Sequence, residues 1–85
     1  MTEVPIGKIT HYFSHLGVAA IELTEGELQV GDRIHIKGHT SDFTQEIDSM
    51  QIDGHAVDRA TIGQNIGFKA AEHAREHDVV YKVTA

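Results

Sequence analysis

The chain of 85 residues has no cysteine, no tryptophan, a single proline and no long hydrophobic run. Without cysteine there is no disulfide framework, no thiol nucleophile and no thiolate zinc site, which agrees with a reducing compartment. The longest apolar run, GVAAI at residues 17–21, is far shorter than the ~20 residues of a membrane-spanning helix. The N-terminal MTEVPIGKI lacks the basic and then apolar pattern of a signal peptide. We therefore expect a cytoplasmic protein that does not associate with membranes.

Positive charge is also scarce, since 7 lysine and arginine residues face 13 aspartate and glutamate residues, for a net charge of −6. Proteins dedicated to nucleic acid are usually basic, because neutralising phosphates drives their affinity. The charge argues against broad, non-specific binding of DNA or RNA and leaves room for a small local site. The length predicts one domain, residues 1–85.

Alternation with a period of two residues predicts strands, and helical periodicity is almost absent. In residues 6–13 the alternation puts Ile9 and Phe13 on one face and Lys8 and Tyr12 on the other. Residues 43–52 break the pattern, because Ile47 has the opposite parity to Met50 and Ile52. A β-bulge near Asp48 and Ser49 would bring both sets into the core. Residues 70–78 predict a turn or a single helical turn.

Short strands with turn residues at a spacing of roughly 8–12 residues are typical of a sandwich or a barrel. In so small a chain, closing the sheet would remove its exposed edges. We expect an all-β protein that forms a small closed Greek-key barrel of six or seven strands.

Four segments carry the glycine and turn pattern of the chain: GELQVGDRIHIKG (26–38), IDSMQIDG (47–54), VDRATIGQNIGF (57–68) and REHDVVYKV (75–83). Their order is similar to that in the second domain of elongation factor Tu and related translational GTPases. The chain resembles that domain over about residues 6–83, and it resembles small stand-alone proteins described as translation elongation factor-like. HTSDFTQEIDSM (39–50) is also similar to a barrel at the C-terminus of collagenase-like peptidases that act in RNA hydroxylation.

The first resemblance implies a barrel of the translation-factor second-domain type and a non-catalytic binding module. Its partners would be tRNA, a ribosomal component or another translation or RNA-metabolism protein. The chain has no G-x-x-x-x-G-K-S/T loop, so we expect no GTP binding or hydrolysis, and we expect no cofactor. In elongation factor Tu a carboxylate of this domain helps to hold the aminoacylated tRNA end, and the matching position here is Gln51. Its amide keeps hydrogen-bonding capacity without the charge.

A second candidate surface consists of basic residues on predicted strands. Lys8, Arg33 and Lys37 are expected to share one outer surface near Tyr12 and His35, where stacking and local charge could hold a single-stranded RNA end. The alternative is that these residues are ordinary outward side chains that balance neighbouring acids.

Histidine is abundant, with 7 residues, and His73 and His77 stand four residues apart in EHAREHD. On a helix this spacing could bind a metal ion. We expect solvated surface there instead, because no third anchored histidine or supporting shell is evident. A triad of Ser49, His11 and Asp48 can be drawn on paper, but we expect no enzyme activity, since a small filled barrel offers no deep cleft.

Two further functions stay open from the residues alone. The acidic surface suits an interaction domain that complements a protein partner lacking its own barrel. The histidines suit a metal-responsive or pH-responsive protein, because imidazole titrates near neutral pH.

Overall fold

A computed structural model describes residues 2–84 of the chain. These residues form ten β-strands and no helix. The strands are β1 (Thr2–Phe13), β2 (Val18–Leu23), β3 (Leu28–Gln29), β4 (Arg33–Lys37), β5 (Asp42–Glu46), β6 (Met50–Ile52), β7 (His55–Val57), β8 (Arg59–Ala60), β9 (Asn65–Lys69) and β10 (Val79–Thr84). The all-β prediction is therefore confirmed.

Eight strands form one antiparallel sheet in the order β5-β4-β10-β1-β2-β9-β6-β7, and β3 pairs with β8 in a second small sheet. The large sheet ends at β5 and at β7, so the predicted closed barrel is not confirmed. The structure also has more strands than the six or seven predicted. The excess comes from short strands and from the division of the long strand predicted at residues 43–52.

The division of that strand replaces the predicted bulge. Residues 47–49 leave the sheet between β5 and β6, and the two strands then pair with different neighbours. Ile47 donates its N–H to the Asp32 carbonyl, and its own carbonyl accepts the Gly31 N–H. Ile47 and Met50 are both 1% exposed. A break in the strand, instead of a bulge within it, thus brings residues of opposite parity into the core.

Strand β1 contains two irregularities, one between Pro5 and Gly7 and one between Ile9 and His11. Each inserts a residue without a partner and reverses the alternation beyond it. Ile9 is buried as expected, but Phe13 emerges on the outer face, while Tyr12 packs against the core. The prediction that Ile9 and Phe13 share a face is therefore wrong.

The core is almost entirely aliphatic and lies on the inner face of the large sheet. Its largest fully buried side chains are Ile9, Ile21, Leu23, Leu28, Ile34, Ile36, Ile47, Met50, Ile66 and Val80. Residues 70–78 contain no helical turn, only a bend and a turn before β10. Within residues 2–84 no helix has the length and hydrophobicity needed to cross a membrane.

Candidate functional site

A groove of about 470 Å³ lies on the outer face of the large sheet, where β2, β9 and β6 come together. Its floor follows one cross-strand row, in which Ala20 of β2 pairs with Gly67 of β9, and Gly67 pairs with Gln51 of β6. Two of these three residues have almost no side chain, so the sheet is hollowed along this row. We call this depression the β2–β9–β6 groove.

One end of the groove is apolar and exposed. Phe13 and Leu16 line it, with 45% and 65% of their surfaces exposed. The turn that holds them is closed by the N–H groups of Leu16 and Gly17, which both donate to the Phe13 carbonyl. The sequence pattern missed Phe13, because simple alternation assigns it to the core. A bulge in β1 cannot be read from alternation, so no clear sequence signal pointed to this residue.

The other end of the groove is polar and is formed by Gln51, Asp53 and Asn65. Asp53 and Gly54 connect β6 to β7 as a two-residue hairpin turn, and both have positive φ angles, 51° and 80°. Aspartate and glycine are the residues that tolerate this turn best. Within residues 2–84, these three polar side chains form no hydrogen bond with the protein, so their donors and acceptors are available to a ligand. Gln51, singled out from the sequence, lies in this groove.

Tyr12 and His73 meet at a different place, with ring centres 4.4 Å apart. They border a cleft of about 290 Å³ together with His11, whose Nδ1 lies 3.6 Å from a Glu76 carboxylate oxygen. His77 is fixed in a turn by its backbone, since its N–H donates to the Ile9 carbonyl at 2.8 Å. No group of three or more potential ligands able to hold a metal ion occurs among residues 2–84. The helical spacing that suggested a metal site at His73 and His77 is absent.

The three basic residues of the predicted RNA surface do share the outer face of the sheet. Lys37 pairs with Val79, and Val79 pairs with Lys8, while Arg33 lies further along β4. Tyr12 is not on this face, because the second irregularity of β1 turns it toward the core.

Each of the three basic residues has an acidic residue directly opposite on the neighbouring strand. The register pairs Lys8 with Glu22, Arg33 with Glu46 and Lys37 with Asp42. The face is therefore balanced in charge and is not a basic patch. Binding of RNA there stays a prediction, and the arrangement of charges does not favour it.

His35 occupies the centre of a charged cluster on the same face. Its Nδ1 lies 2.9 Å from a Glu3 carboxylate oxygen, and its Nε2 lies 2.5 Å from one of Asp42. A carboxylate only accepts hydrogen bonds, so both contacts are hydrogen bonds when both ring nitrogens carry a proton, that is, when the imidazole is positively charged. The hydrogen bond to Asp42, followed by that to Glu3, raises the pKa of His35, and His35 in turn lowers the pKa of Asp42. The cluster links β1, β4 and β5.

This cluster predicts a dependence of stability on pH. The folded-state pKa of His35 is raised, so its stabilisation is fully present below its unfolded pKa of about 6.5 and is lost as the pH rises through the folded value. The pKa of Asp42 is lowered, so its contribution is present above about 3.8 and is lost as the pH falls through the folded value. We expect the free energy of unfolding in urea to decline from pH 6 to 8.5, and the decline to become shallower in His35→Gln. The exposed His39→Gln variant is the control, and an unchanged slope in His35→Gln would contradict this assignment.

The geometry of the groove suits binding, with an apolar end, a hollow floor and polar side chains without protein partners. It does not assemble a nucleophile and a base. Within residues 2–84, no hydrogen bond joins a serine hydroxyl to a histidine ring, and His11 contacts Glu76 and Phe13 instead of Ser49.

Comparisons with known proteins identify relatives of this chain. No protein-family model matches it. A collagenase of Porphyromonas gingivalis is 37% identical over 81 residues, which cover 94% of this chain and 20% of that protein. An uncharacterised protease of Methanocaldococcus jannaschii is 36% identical over 80 residues, which cover 93% of this chain and 19% of that protein. The chain thus spans about a fifth of the length of these relatives.

A solved structure has the same fold. It is the C-terminal domain of a Geobacillus thermoleovorans protein described as a U32 peptidase, with a TM-score of 0.88 at 22% sequence identity. The match covers 96% of this chain and 93% of that domain. At this level of identity the match establishes the fold alone.

These relatives correct the identification made from the sequence. The interpretation as a stand-alone elongation factor-like protein with a translation-factor second domain is wrong, because the matched proteins are a collagenase, a protease and a U32 peptidase domain. The predicted function as a translation-factor binding module is wrong for the same reason. The glycine and turn pattern is what a small β-fold of this kind requires, so it could not separate the two groups. The similarity of residues 39–50 to collagenase-like peptidases pointed in the direction that the comparisons support.

Proposed function

We propose that this chain is an accessory domain of the U32 peptidase type, which works with a peptidase region and contributes binding instead of bond cleavage. The observation that carries the proposal is the extent of the match, which takes in more than nine tenths of this chain and only a fifth of each curated relative. A module that makes up only a small part of each relative is suited to recognising or positioning another molecule.

The distribution of perturbed groups supports a non-catalytic role. Catalytic acids and bases usually have shifted pKa values and lie in a cleft. His35 and Asp42 have shifted pKa values, and they lie in an ion cluster where both imidazole nitrogens already have partners. The β2–β9–β6 groove contains neither of them.

The test replaces the matching segment of the Porphyromonas collagenase with this chain. Cleavage of collagen is measured for the parent, for a deletion of the segment, for the chimera and for this chain alone. We expect the deletion to lose activity, the chimera to regain it and the isolated chain to show none. Cleavage by the isolated chain, full activity of the deletion, or an inactive but folded chimera would each contradict the proposal.

We also propose that the sheet is closed into a barrel by a side chain. The amide of Gln45 in β5 bridges to the end of β9: its nitrogen donates to the Lys69 carbonyl at 3.0 Å, and its oxygen accepts the Ala71 N–H at 2.7 Å. A side-chain amide makes the same two hydrogen bonds as a peptide group. Gln45 thus supplies the link between strands that the backbone does not form there.

Changing Gln45 to alanine removes both hydrogen bonds and is expected to cost about 1–2 kcal/mol, at about 1 kcal/mol for each bond. Hydrogen exchange of the Ala71 amide should become faster by a larger factor than that of amides in β1 or β10. In Gln45→Glu the acceptor remains and the donor to Lys69 is lost, so an intermediate effect is expected. The neighbouring exposed Thr44→Ala variant is the control. If the Ala71 amide exchanges equally fast in all variants, Gln45 does not link β5 to the end of β9.

The cytoplasmic location inferred from the sequence stays part of this proposal. The partner we propose is a protein, the peptidase region itself, in the same polypeptide or in a separate one. The acidic net charge of −6 agrees with a protein partner better than with nucleic acid.

A further inference from the structure

We propose that the β2–β9–β6 groove binds an extended polypeptide segment with a bulky apolar side chain next to a lysine or arginine. The inference rests on the proposed function, because a domain that works with a peptidase meets polypeptide. It goes further in assigning a site and a chemical class of ligand.

Packing within the protein does not require a glycine at the floor of the groove. A methyl group built on Gly67 would come no closer than 3.6 Å to any neighbour, the Cγ1 of Val18, which is ordinary van der Waals contact. Glycine in the interior of a strand weakens the strand, so an alanine would be both tolerated and more stable here. We infer that Gly67 serves to keep the depression deep enough for a ligand.

The apolar end of the groove provides the anchor. Phe13 and Leu16 are two of the five exposed large hydrophobic residues in the described part of the chain, and both border this one depression. An aromatic or leucine side chain of a ligand, laid over Gly67 and against Phe13, would remove apolar surface of both molecules from water.

The polar end matches the chemistry of a peptide backbone. The amides of Gln51 and Asn65 each offer donors and an acceptor, the complement of a peptide N–H and C=O. Both side chains lack a protein partner among residues 2–84, and both lie on strands that border the floor. The pair therefore favours a ligand with repeated amide groups over a purely apolar one.

The charges around the groove determine where the basic residue of the ligand lies relative to its apolar side chain. Among residues 2–84, Asp53 is the only charged residue that lines the groove. Lys69 lies opposite Val18, beside the apolar end, and would repel a cation there. The basic residue of the ligand must therefore lie at the Asp53 end, and the net charge of −6 attracts such a ligand over a longer distance.

The test is an amide-shift NMR titration of the full chain with three blocked tetrapeptides. The first contains phenylalanine followed by lysine, the second phenylalanine followed by glutamate, and the third alanine followed by lysine. We expect the first to shift the amides of Gly67, Gln51 and Asp53. The glutamate peptide should bind about two- to fivefold more weakly, which is the worth of one exposed ion pair. The alanine peptide should bind about tenfold more weakly, because it loses the anchor.

Variants of the protein separate this site from a general loss of structure. Gly67→Ala should keep or raise the melting temperature and weaken the first peptide about tenfold, because the added methyl group fills the floor. Asp53→Asn should remove the preference for lysine over glutamate and leave the hairpin turn intact. Gly31→Ala, at a turn outside the groove, is a control for substitution of glycine. Its φ of 98° strains alanine, so the melting temperature should fall, while peptide affinity should stay unchanged in the folded protein.

Several outcomes overturn the inference. Shifts that avoid the groove, equal affinity for the lysine and glutamate peptides, or unchanged affinity of Gly67→Ala would do so. Groove shifts produced by an RNA oligonucleotide and by none of the peptides would assign the site to a different ligand class. A working chimera whose groove binds no peptide would remove this inference and leave the accessory role standing, whereas collagen cleavage by the isolated chain would overturn the accessory role whatever the groove binds.

Discussion

Gly7→Ala is expected to destabilise the fold by about 3 kcal/mol, at the upper end of the usual cost of overpacking. A Cβ at this position would lie 2.3 Å from the backbone carbonyl oxygen of Glu22 on β2. A backbone atom cannot rotate away as a side chain can, so the pairing of β1 with β2 must shift. These two strands lie in the middle of the large sheet, which transmits the shift to the buried Ile6 and Ile9. The expected fall in melting temperature is roughly 10–25 °C for a domain of this size.

Gly67→Ala is the matched control, because it makes the same chemical change in β9, two strands from β1 in the same sheet. There the added methyl group makes only ordinary van der Waals contact, so stability should stay the same or rise by up to about 1 kcal/mol. Urea unfolding of the two variants beside the wild type measures both effects. Equal destabilisation by the two substitutions would show that the loss of stability comes from replacing any strand glycine and not from the contact with Glu22.

Ile47→Ala is expected to cost about 2–5 kcal/mol, the range for truncating a buried isoleucine. Ile47 is 1% exposed, and it lies in the break between β5 and β6, where no ladder of strand hydrogen bonds supports the chain. Its backbone joins the turn at Gly31 and Asp32 through two hydrogen bonds of 2.8 Å. The Ile47 side chain holds the segment between β5 and β6 in place, so the cavity left by alanine would also loosen this segment.

Ile62→Ala is the control for Ile47→Ala, because Ile62 is 61% exposed. Its truncation should change the free energy of unfolding by no more than about 0.5 kcal/mol. Thermal unfolding followed by circular dichroism, together with amide exchange of Gly31, reports on both positions. A cost for Ile47→Ala as small as that for Ile62→Ala would mean that the break in the strand is not held by the core.

Much of the secondary structure could be predicted from the sequence. The strands at residues 18–23, 33–37, 65–69 and 79–83 follow from alternation and from turn residues, and the structure contains them with small changes at the ends. Residues 33–37 show why. Ile34 and Ile36 are fully buried between exposed Arg33 and Lys37, as a strand with one face on the core demands.

The predictions failed where the pattern depends on a register that local sequence does not encode. The pattern of residues 43–52 correctly predicted that Ile47 and Met50 are both buried. The predicted β-bulge was wrong, since the chain leaves the sheet there. Residues 70–78 form no helical turn, because the chain is used to cross from β9 to β10 and the N–H of His77 bonds to Ile9. These outcomes are set by contacts between distant segments.

One of the residues that border the groove was also selected from the sequence. Gln51 was selected by a resemblance to a group of proteins to which the comparisons do not connect this chain, and it nevertheless borders the groove. Phe13, Leu16, Asp53 and Asn65 were not selected, since none of them belongs to a recognisable motif. The basic residues were correctly placed on one face, but their acidic partners could not be known before the strand register was.

The sequence by itself determined the all-β character of the protein, its aliphatic core, its lack of thiol chemistry and its negative charge, since these follow from composition and from alternation within single strands. Only the tertiary structure decided which residues share the groove. The irregularity of β1 between Ile9 and His11 reverses the faces of Tyr12 and Phe13, and the pairing of β2, β9 and β6 aligns Ala20, Gly67 and Gln51. Strand alternation is a local property, whereas register is fixed by packing across the whole sheet, and the groove is a product of register.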